Sequence, residues 1–218
     1  GSVSTFNINN NKIYSNTRFS FTGIYNVSIM KILNINFNSL YNNPFNTNTT
    51  GVFYGIRNNA SVPTAINISS NHLGDAGTNF ITYLAANSGT LYGISNDLAL
   101  DGCILSISGN DIQGISQATA CSGSQYYIWN NSSANISQNI SSNTFTNLSI
   151  NTNCLEIIFI YNRSFTQANG FLRINNNSIS GSYTKAASSY SGSTTVTLYK
   201  EINQSYSPST VTHNNNNF

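Results

Sequence analysis

The chain repeats a short pattern of apolar and polar positions. An apolar residue, any residue and isoleucine are followed by two small polar residues, an asparagine, any residue and a second apolar residue. Alternate residues of a strand point to the same face, so this pattern predicts a strand with one buried face, a polar turn and the start of a second strand. Seven segments follow it: Phe6–Ile13, Leu33–Leu40, Ile66–Leu73, Leu105–Ile112, Gln138–Phe145, Leu172–Ile179 and Val211–Phe218.

The central residue of this pattern is predicted to stack inside the protein. It is isoleucine in six copies and histidine, His213, in the seventh, and Gln138 departs from the pattern at the first apolar position of the fifth copy. The six isoleucines are Ile8, Ile35, Ile68, Ile107, Ile140 and Ile174.

A second pattern lies between the copies of the first. It is an aromatic-rich strand that ends on asparagine, as in YGIRN at 54–58, YGISN at 92–96 and YIWN at 127–130. TGIYN at 22–26 and FIYN at 159–162 fit it as well, and LYKEIN at 198–203 fits it loosely. The same strands therefore alternate around every repeat.

The repeat length predicts the fold class. The central residues of the first pattern follow one another at intervals of 27, 33, 39, 33, 34 and 39 residues. A unit of that size cannot bury its apolar face alone, whereas stacking on the next unit buries the face and pairs the backbones in parallel. We expect an all-β, right-handed parallel β-helix, a solenoid of about six coils of 27–39 residues, in a single domain over 1–218. A β-sandwich also has many short strands, but it does not explain the in-register repeat.

One asparagine of the first pattern recurs in all seven copies. Asparagine tolerates left-handed backbone at a corner, and its amide both donates and accepts, so identical residues in successive coils can bond to one another. We predict a structural ladder of Asn11, Asn38, Asn71, Asn110, Asn143, Asn177 and Asn216. The asparagines that end the second pattern are candidates for a second ladder: Asn26, Asn58, Asn96, Asn130 and Asn162.

The composition is unusual mainly in its low content of charged residues. Charged residues are 6% of the chain, while aromatic residues are 12% and asparagines number 39 of 218. Amide and hydroxyl groups, rather than charges, therefore make the surface polar, and the aromatic content favours a folded protein. The net charge is +2, and the basic residues are scattered, which argues against nucleic acid as a partner. No apolar run approaches the length of a membrane span.

Candidate chemistry is sparse. Asp97 and Asp101 are the one close pair of acids, and a pair can bind calcium or act as general acid and base, but a solvated loop explains them as well. His72 and His213 are interpreted as turn or core positions rather than metal ligands. We assign no catalytic residue, no metal and no cofactor.

Three segments resemble a known group of proteins. ISSNTFTNLSIN at 141–152, INNNSISGSYTKAASS at 174–189 and VTHNNNNF at 211–218 are similar to the Asn-rich parallel β-helix repeat proteins that Bacteroidetes-type bacteria secrete, within the broad pectin-lyase-like fold. The resemblance implies export to the cell surface, often by the type IX route, and an adhesin-like role. No sorting domain for that route is visible in this sequence.

Two functions are consistent with the sequence. The first is a non-catalytic extracellular rod, such as an adhesin, a fibre or a matrix component. Its partners would be glycans or neighbouring copies stacked end to end, because the sequence starts and stops within copies of the repeat and is interpreted as part of a longer protein. Aromatic residues available for glycans are Tyr14, Tyr41, Tyr54, Tyr92 and Trp129, most of which are better explained as core or stacked strand residues. The alternative is a polysaccharide lyase or glycoside hydrolase with its site outside this segment.

The repeat register also pairs two of the three cysteines. Cys121 follows Ile112 by nine residues and Cys154 follows Phe145 by nine, and Ile112 and Phe145 hold the same position in adjacent repeats. Strands about 4.8 Å apart bring such residues within disulfide range, so we expect a Cys121–Cys154 bond, with two reduced buried thiols as the alternative. Cys103 is then free or bonded outside this segment.

Overall fold

The structure is a computed structural model that describes residues 4–14, 19–45, 48–75, 77–117, 119, 122–132, 135–150, 154–185, 195–202 and 210–218. All regular structure in these residues is β. The strands are β1 (Thr5–Asn9), β2 (Lys12–Tyr14), β3 (Phe21–Asn26), β4 (Ile32–Asn36), β5 (Ser39–Tyr41), β6 (Asn43–Phe45), β7 (Phe53–Asn58), β8 (Ala65–Ser69), β9 (His72–Leu73), β10 (Ile81–Tyr83), β11 (Leu91–Asn96), β12 (Ile104–Ser108), β13 (Asp111–Gln117), β14 (Gln125–Asn130), β15 (Asn135–Ser141), β16 (Thr144–Ile150), β17 (Glu156–Asn162), β18 (Thr166–Asn175), β19 (Ser178–Lys185), β20 (Thr195–Glu201) and β21 (Thr210–Thr212).

The strands form three sheets whose ladders are parallel. Sheet A runs β1-β4-β8-β12-β15-β18-β21, sheet C runs β3-β7-β11-β14-β17-β20, and sheet B runs β2-β5-β9-β13-β16-β19, with β10 joining β6 to β13. The chain visits A, B and C in turn, so each repeat supplies a strand to each sheet, which is consistent with a β-helix. The described residues contain no helix that is long and apolar enough to cross a membrane.

The predicted isoleucine register is confirmed. In sheet A, Ile8 lies opposite Ile35, Ile35 opposite Ile68, and the row continues without a slip to Ile174. The row is buried from Ile35 onward, and Ile8 is half-buried. His213, which the pattern places next in the row, follows the end of β21 and is exposed, so it is neither a core residue nor part of the apolar row.

Gln138 lies in the interior row that is formed by the first apolar residue of each copy, and its buried amide is hydrogen-bonded. It lies between Leu105 and Leu172 and is fully buried. Its Oε1 accepts from Asn130 at 3.0 Å, and its Nε2 donates at 2.9 Å to the Phe165 carbonyl and to the Thr166 hydroxyl. Buried amides are tolerated when they are hydrogen-bonded in this way.

The asparagine ladder is present and runs unbroken from Asn11 to Asn216. In each step, the backbone N–H and the side-chain Nδ2 of one asparagine both donate to Oδ1 of the next, at 2.9–3.1 Å. The Nδ2 group also donates to the carbonyl of a residue in the preceding repeat, as Asn110 does to Ile68 at 2.9 Å. Each interior rung is therefore satisfied by side chains and backbone of its two neighbours.

The expected reason for asparagine at this corner is partly wrong. The left-handed residue is the one before each ladder asparagine. It is itself an asparagine in three copies, but Phe37, Ser70 and Ser142 hold the same conformation at φ between 54° and 58°. Gly109 takes the same position in its repeat at φ 63°. The ladder asparagine is thus selected for its side-chain hydrogen bonds, while the turn itself accepts several residue types.

The second asparagine row is also a ladder. Nδ2 of Asn26 donates to Oδ1 of Asn58 at 2.7 Å, and the same bond repeats along Asn96 and Asn130 to Asn162 at 2.8–2.9 Å. The sixth copy differs from its expected alignment. Glu201 lies opposite Asn162. The position that is asparagine in the other copies is therefore held by Glu201, two residues before the asparagine of LYKEIN.

The cysteine prediction lies partly outside the described residues, because Cys121 is not among them. The register that leads to it is present, since Gln117 lies opposite Ile150. The Cys154 thiol is buried and accepts a hydrogen bond from Gln125 Nε2 at 3.3 Å. Cys103 is a free thiol, and burial raises its pKa to about 12.

Replacing Ile107 by asparagine should lower the free energy of unfolding by about 3–5 kcal/mol, because the amide has no partner in the apolar row. Ile104 lies on the same strand and is 48% exposed, so I104N is the matched control and should cost under about 1 kcal/mol. Denaturant unfolding of both variants measures the difference. Equal losses in the two variants would contradict the inward register.

Replacing Asn110 by alanine should cost at least about 2 kcal/mol, because Asn71 N–H and the Ile68 carbonyl each lose a buried partner. Asn131 is an exposed asparagine directly after β14, and N131A should leave the unfolding midpoint nearly unchanged. Thermal unfolding of the two variants is the comparison, and similar melting temperatures would show that the ladder does not stabilise the fold.

Candidate aromatic binding face

The outer surface of sheet C carries the largest group of ring contacts in the described residues. Two rows of side chains reach this surface, because the burial of β7 departs from strict alternation at Gly55 and Ile56. Tyr54 and Arg57, three positions apart, therefore both point outward. Gly55 leaves no room for a side chain, since an added Cβ would lie 2.8 Å from Leu73 Cδ2 and 2.6 Å from the Gly93 carbonyl.

The first row consists of tyrosines in register. Tyr54 pairs with Tyr92, and Tyr92 with Tyr126. The rings of Tyr54 and Tyr92 are stacked with centroids 4.7 Å apart and planes 6° apart, and Tyr92 and Tyr126 follow at 5.3 Å. Ring pairs at these separations are attractive, so the row forms a continuous surface.

The second row adds the tryptophan. Trp129 pairs with Tyr161 across the ladder, and their rings meet edge to face at 4.8 Å. Trp129 also lies 4.8 Å from Tyr126, which joins the two rows. We call Tyr25, Tyr54, Tyr92, Tyr126, Trp129 and Tyr161 the aromatic face.

Three cations lie over the rings of this face. The guanidinium of Arg57 is 4.3 Å from the Tyr54 ring centre, that of Arg163 is 5.4 Å from Trp129, and the ammonium of Lys200 is 4.9 Å from Tyr161. These basic residues are far apart in the sequence, and only the stacking of repeats brings them together. The cluster is not apparent in the sequence beyond the aromatic positions that precede each closing asparagine.

Two of the cations are paired with acids. Arg57 Nε donates to Asp97 Oδ2 at 2.7 Å, and Lys200 Nζ lies 3.7 Å from Glu156 Oε2. Glu156 also accepts a hydrogen bond from the Tyr126 hydroxyl. The two pairs hold the face electrically neutral over most of its length.

The third cation has no acid. Within the described residues, Arg57–Asp97 and Lys200–Glu156 are the ion pairs, and Arg163 Nε is buried without a hydrogen-bond partner. The Arg163 backbone N–H donates to the Asn130 carbonyl at 2.7 Å, which fixes the residue beside Trp129.

The other sequence candidates do not assemble into a site. Asp97 is held by Arg57 and by the Ser95 hydroxyl at 2.8 Å, while Asp101 is exposed. His72 is exposed on β9, and His213 packs against Tyr199 with ring centres 4.9 Å apart. The part of the chain that the structure describes holds no group of three or more metal-ligating side chains.

The aromatic candidates divide between two sheets. Tyr14 and Tyr41 stack at 5.7 Å on sheet B, whereas Tyr54, Tyr92 and Trp129 belong to the aromatic face. Their interpretation as stacked strand residues is confirmed. Tyr126, Tyr161 and Arg163 complete the face and were not singled out from the sequence.

Burial of the aromatic face changes its acid–base behaviour. Burial, with the hydrogen bond to Glu156 second, raises the pKa of Tyr126 to about 12 from its ordinary 10.0. Burial also raises the pKa of Tyr92 and Tyr54. A phenol whose pKa is raised by folding stabilises the folded state below its unfolded pKa, and that contribution is lost as pH rises through the folded value.

The melting temperature should therefore fall between about pH 10 and pH 12, and Y126F should show a shallower fall because it cannot ionise at this position. The matched control is Y14F, which removes the hydroxyl of an exposed tyrosine and should keep the wild-type slope. Melting curves recorded with the phenolate absorbance at each pH test this. A Y126F slope equal to that of wild type would show that Tyr126 does not contribute.

Comparisons of the chain with protein-family models, with curated proteins and with solved structures find no match.

Proposed function

We propose that this protein is a non-catalytic extracellular rod, a right-handed β-helix with a structural or adhesive role, and that its aromatic face binds carbohydrate. The recurring residues of each repeat support the structural part. The isoleucine row fills the interior, and both asparagine rows are occupied by hydrogen bonds between repeats. These are positions that build a scaffold.

The residues that break the repeat support the binding part. Along the outer rows of sheet C, Ser95 occupies the position that is Trp129 in the next repeat and Tyr161 in the one after. Half-buried rings in a row present apolar surface together with hydroxyl and indole groups that can hydrogen-bond. Sugar rings have the same combination of apolar C–H faces and hydroxyl edges, so the aromatic face is suited to bind carbohydrate.

The low charge and the repeat style support an extracellular location. Charged residues are 6% of the chain, and the segments 141–152, 174–189 and 211–218 resemble the secreted Asn-rich repeat proteins of Bacteroidetes-type bacteria, which motivates a role at the cell surface.

A glycan array run beside a reducing-sugar release assay tests this function. Binding without release is the expected result, because the two described carboxylates at the aromatic face, Asp97 and Glu156, are held in ion pairs with Arg57 and Lys200. Release of reducing ends by the purified protein would favour a lyase or hydrolase instead.

The location of binding is tested by substitution. W129A should weaken binding of the best array ligand by about tenfold, a loss of about 1.4 kcal/mol. Y14A removes an aromatic ring from sheet B and should leave the affinity unchanged. Melting temperatures show whether each variant is folded, and equal binding by wild type and folded W129A would place the ligand elsewhere.

A further inference from the structure

Arg163 is the one described cation of the aromatic face without an acidic partner. Its Nε is buried and makes no hydrogen bond, although an unmet buried donor is costly. Its guanidinium lies 5.4 Å from the Trp129 ring centre and 5.9 Å from that of Tyr161. The rings hold the guanidinium in place but supply no acceptor for its N–H groups.

The Nε atom itself is shielded from solvent, so a ligand would approach the remainder of the guanidinium, and the charges of the face indicate which ligand group would suit it. Arg57 and Lys200 are neutralised by Asp97 and Glu156, so the described side chains of the face leave one net positive charge, at Arg163. A guanidinium presents a planar fork of donors that matches a carboxylate. The site therefore suits one anionic group flanked by apolar ring surface.

The arrangement is less suited to a nucleic acid. Binding along a phosphate backbone requires several unpaired cations in a row, and log affinity then falls steeply with salt. Here a single unpaired cation lies beside Trp129, with the half-buried Tyr126 4.8 Å further on. A sugar that carries a carboxylate and has an apolar ring face fits these contacts better.

We propose that Arg163, Trp129 and Tyr126 form a subsite for a carbohydrate that carries carboxylates. The carboxylate pairs with the Arg163 guanidinium, and the faces of the sugar rings lie against Trp129 and Tyr126. This rests on the proposed function, because it specifies the ligand of the same face.

Titration calorimetry with a polyuronate oligosaccharide tests the subsite, with the same oligosaccharide after reduction of its carboxyl groups to alcohols as the matched ligand. Wild type should bind the polyuronate at least about tenfold more tightly than the reduced form. R163Q should abolish that preference. K12Q removes the same charge from an exposed position on sheet B and should retain it.

The outcomes separate the subsite from the proposed function. Equal binding of both ligands, lost in W129A, would overturn the carboxylate subsite while supporting a glycan-binding face. Failure of both ligands to bind would count against the subsite, and absence of any array ligand would count against the function itself. A preference that K12Q loses as fully as R163Q, or equal binding of single-stranded DNA, would show general attraction of anions and overturn the subsite.

Discussion

A ladder asparagine can use its whole side-chain amide only when another asparagine holds the same corner of the next repeat. Asn110 shows the arrangement, with Oδ1 accepting from Asn71, and Nδ2 donating to Asn143 and to the Ile68 carbonyl. This requirement fixes the register of the adjoining strands, because a shift by one residue would leave these buried groups unpaired and would turn the isoleucines outward. The three sheets, the apolar interior and the outer rows all follow from that register.

The fixed corners also explain how the repeat length can vary. The intervals of 27 to 39 residues are absorbed mainly between sheets B and C, where β6 and β10 add short pairings in some repeats. From the buried isoleucine of sheet C to that of sheet A the distance stays at 11 to 14 residues, between Ile24 and Ile35 at the shortest. Loop insertion is inexpensive when the ends of the loop are held by ladders.

Much of this architecture could be predicted from the sequence, because period-two apolar positions and in-register asparagines are local signals. The left-handed position was not predicted, since it is asparagine or glycine in four copies but Phe37, Ser70 and Ser142 in the other three. The aromatic face could not be predicted from the sequence either. Tyr54 and Arg57 are three residues apart, and both reach the outer surface only because the strand is irregular at Gly55, which no alternating pattern indicates. The Arg163 guanidinium lies over the ring of Trp129, a residue of the preceding repeat, and the sequence around Arg163 does not indicate this contact.

The hydrogen bonds of the three sheets run along the direction in which the repeats stack, and this has a mechanical consequence. A pulling force along the stack loads successive interfaces in series, so the weakest one opens first, instead of all strands shearing together. Each opened interval of about 33 residues would release roughly 110 Å of extended chain. Under tension such a protein lengthens in steps and dissipates energy at each one, while the repeats that remain closed keep their ladders intact.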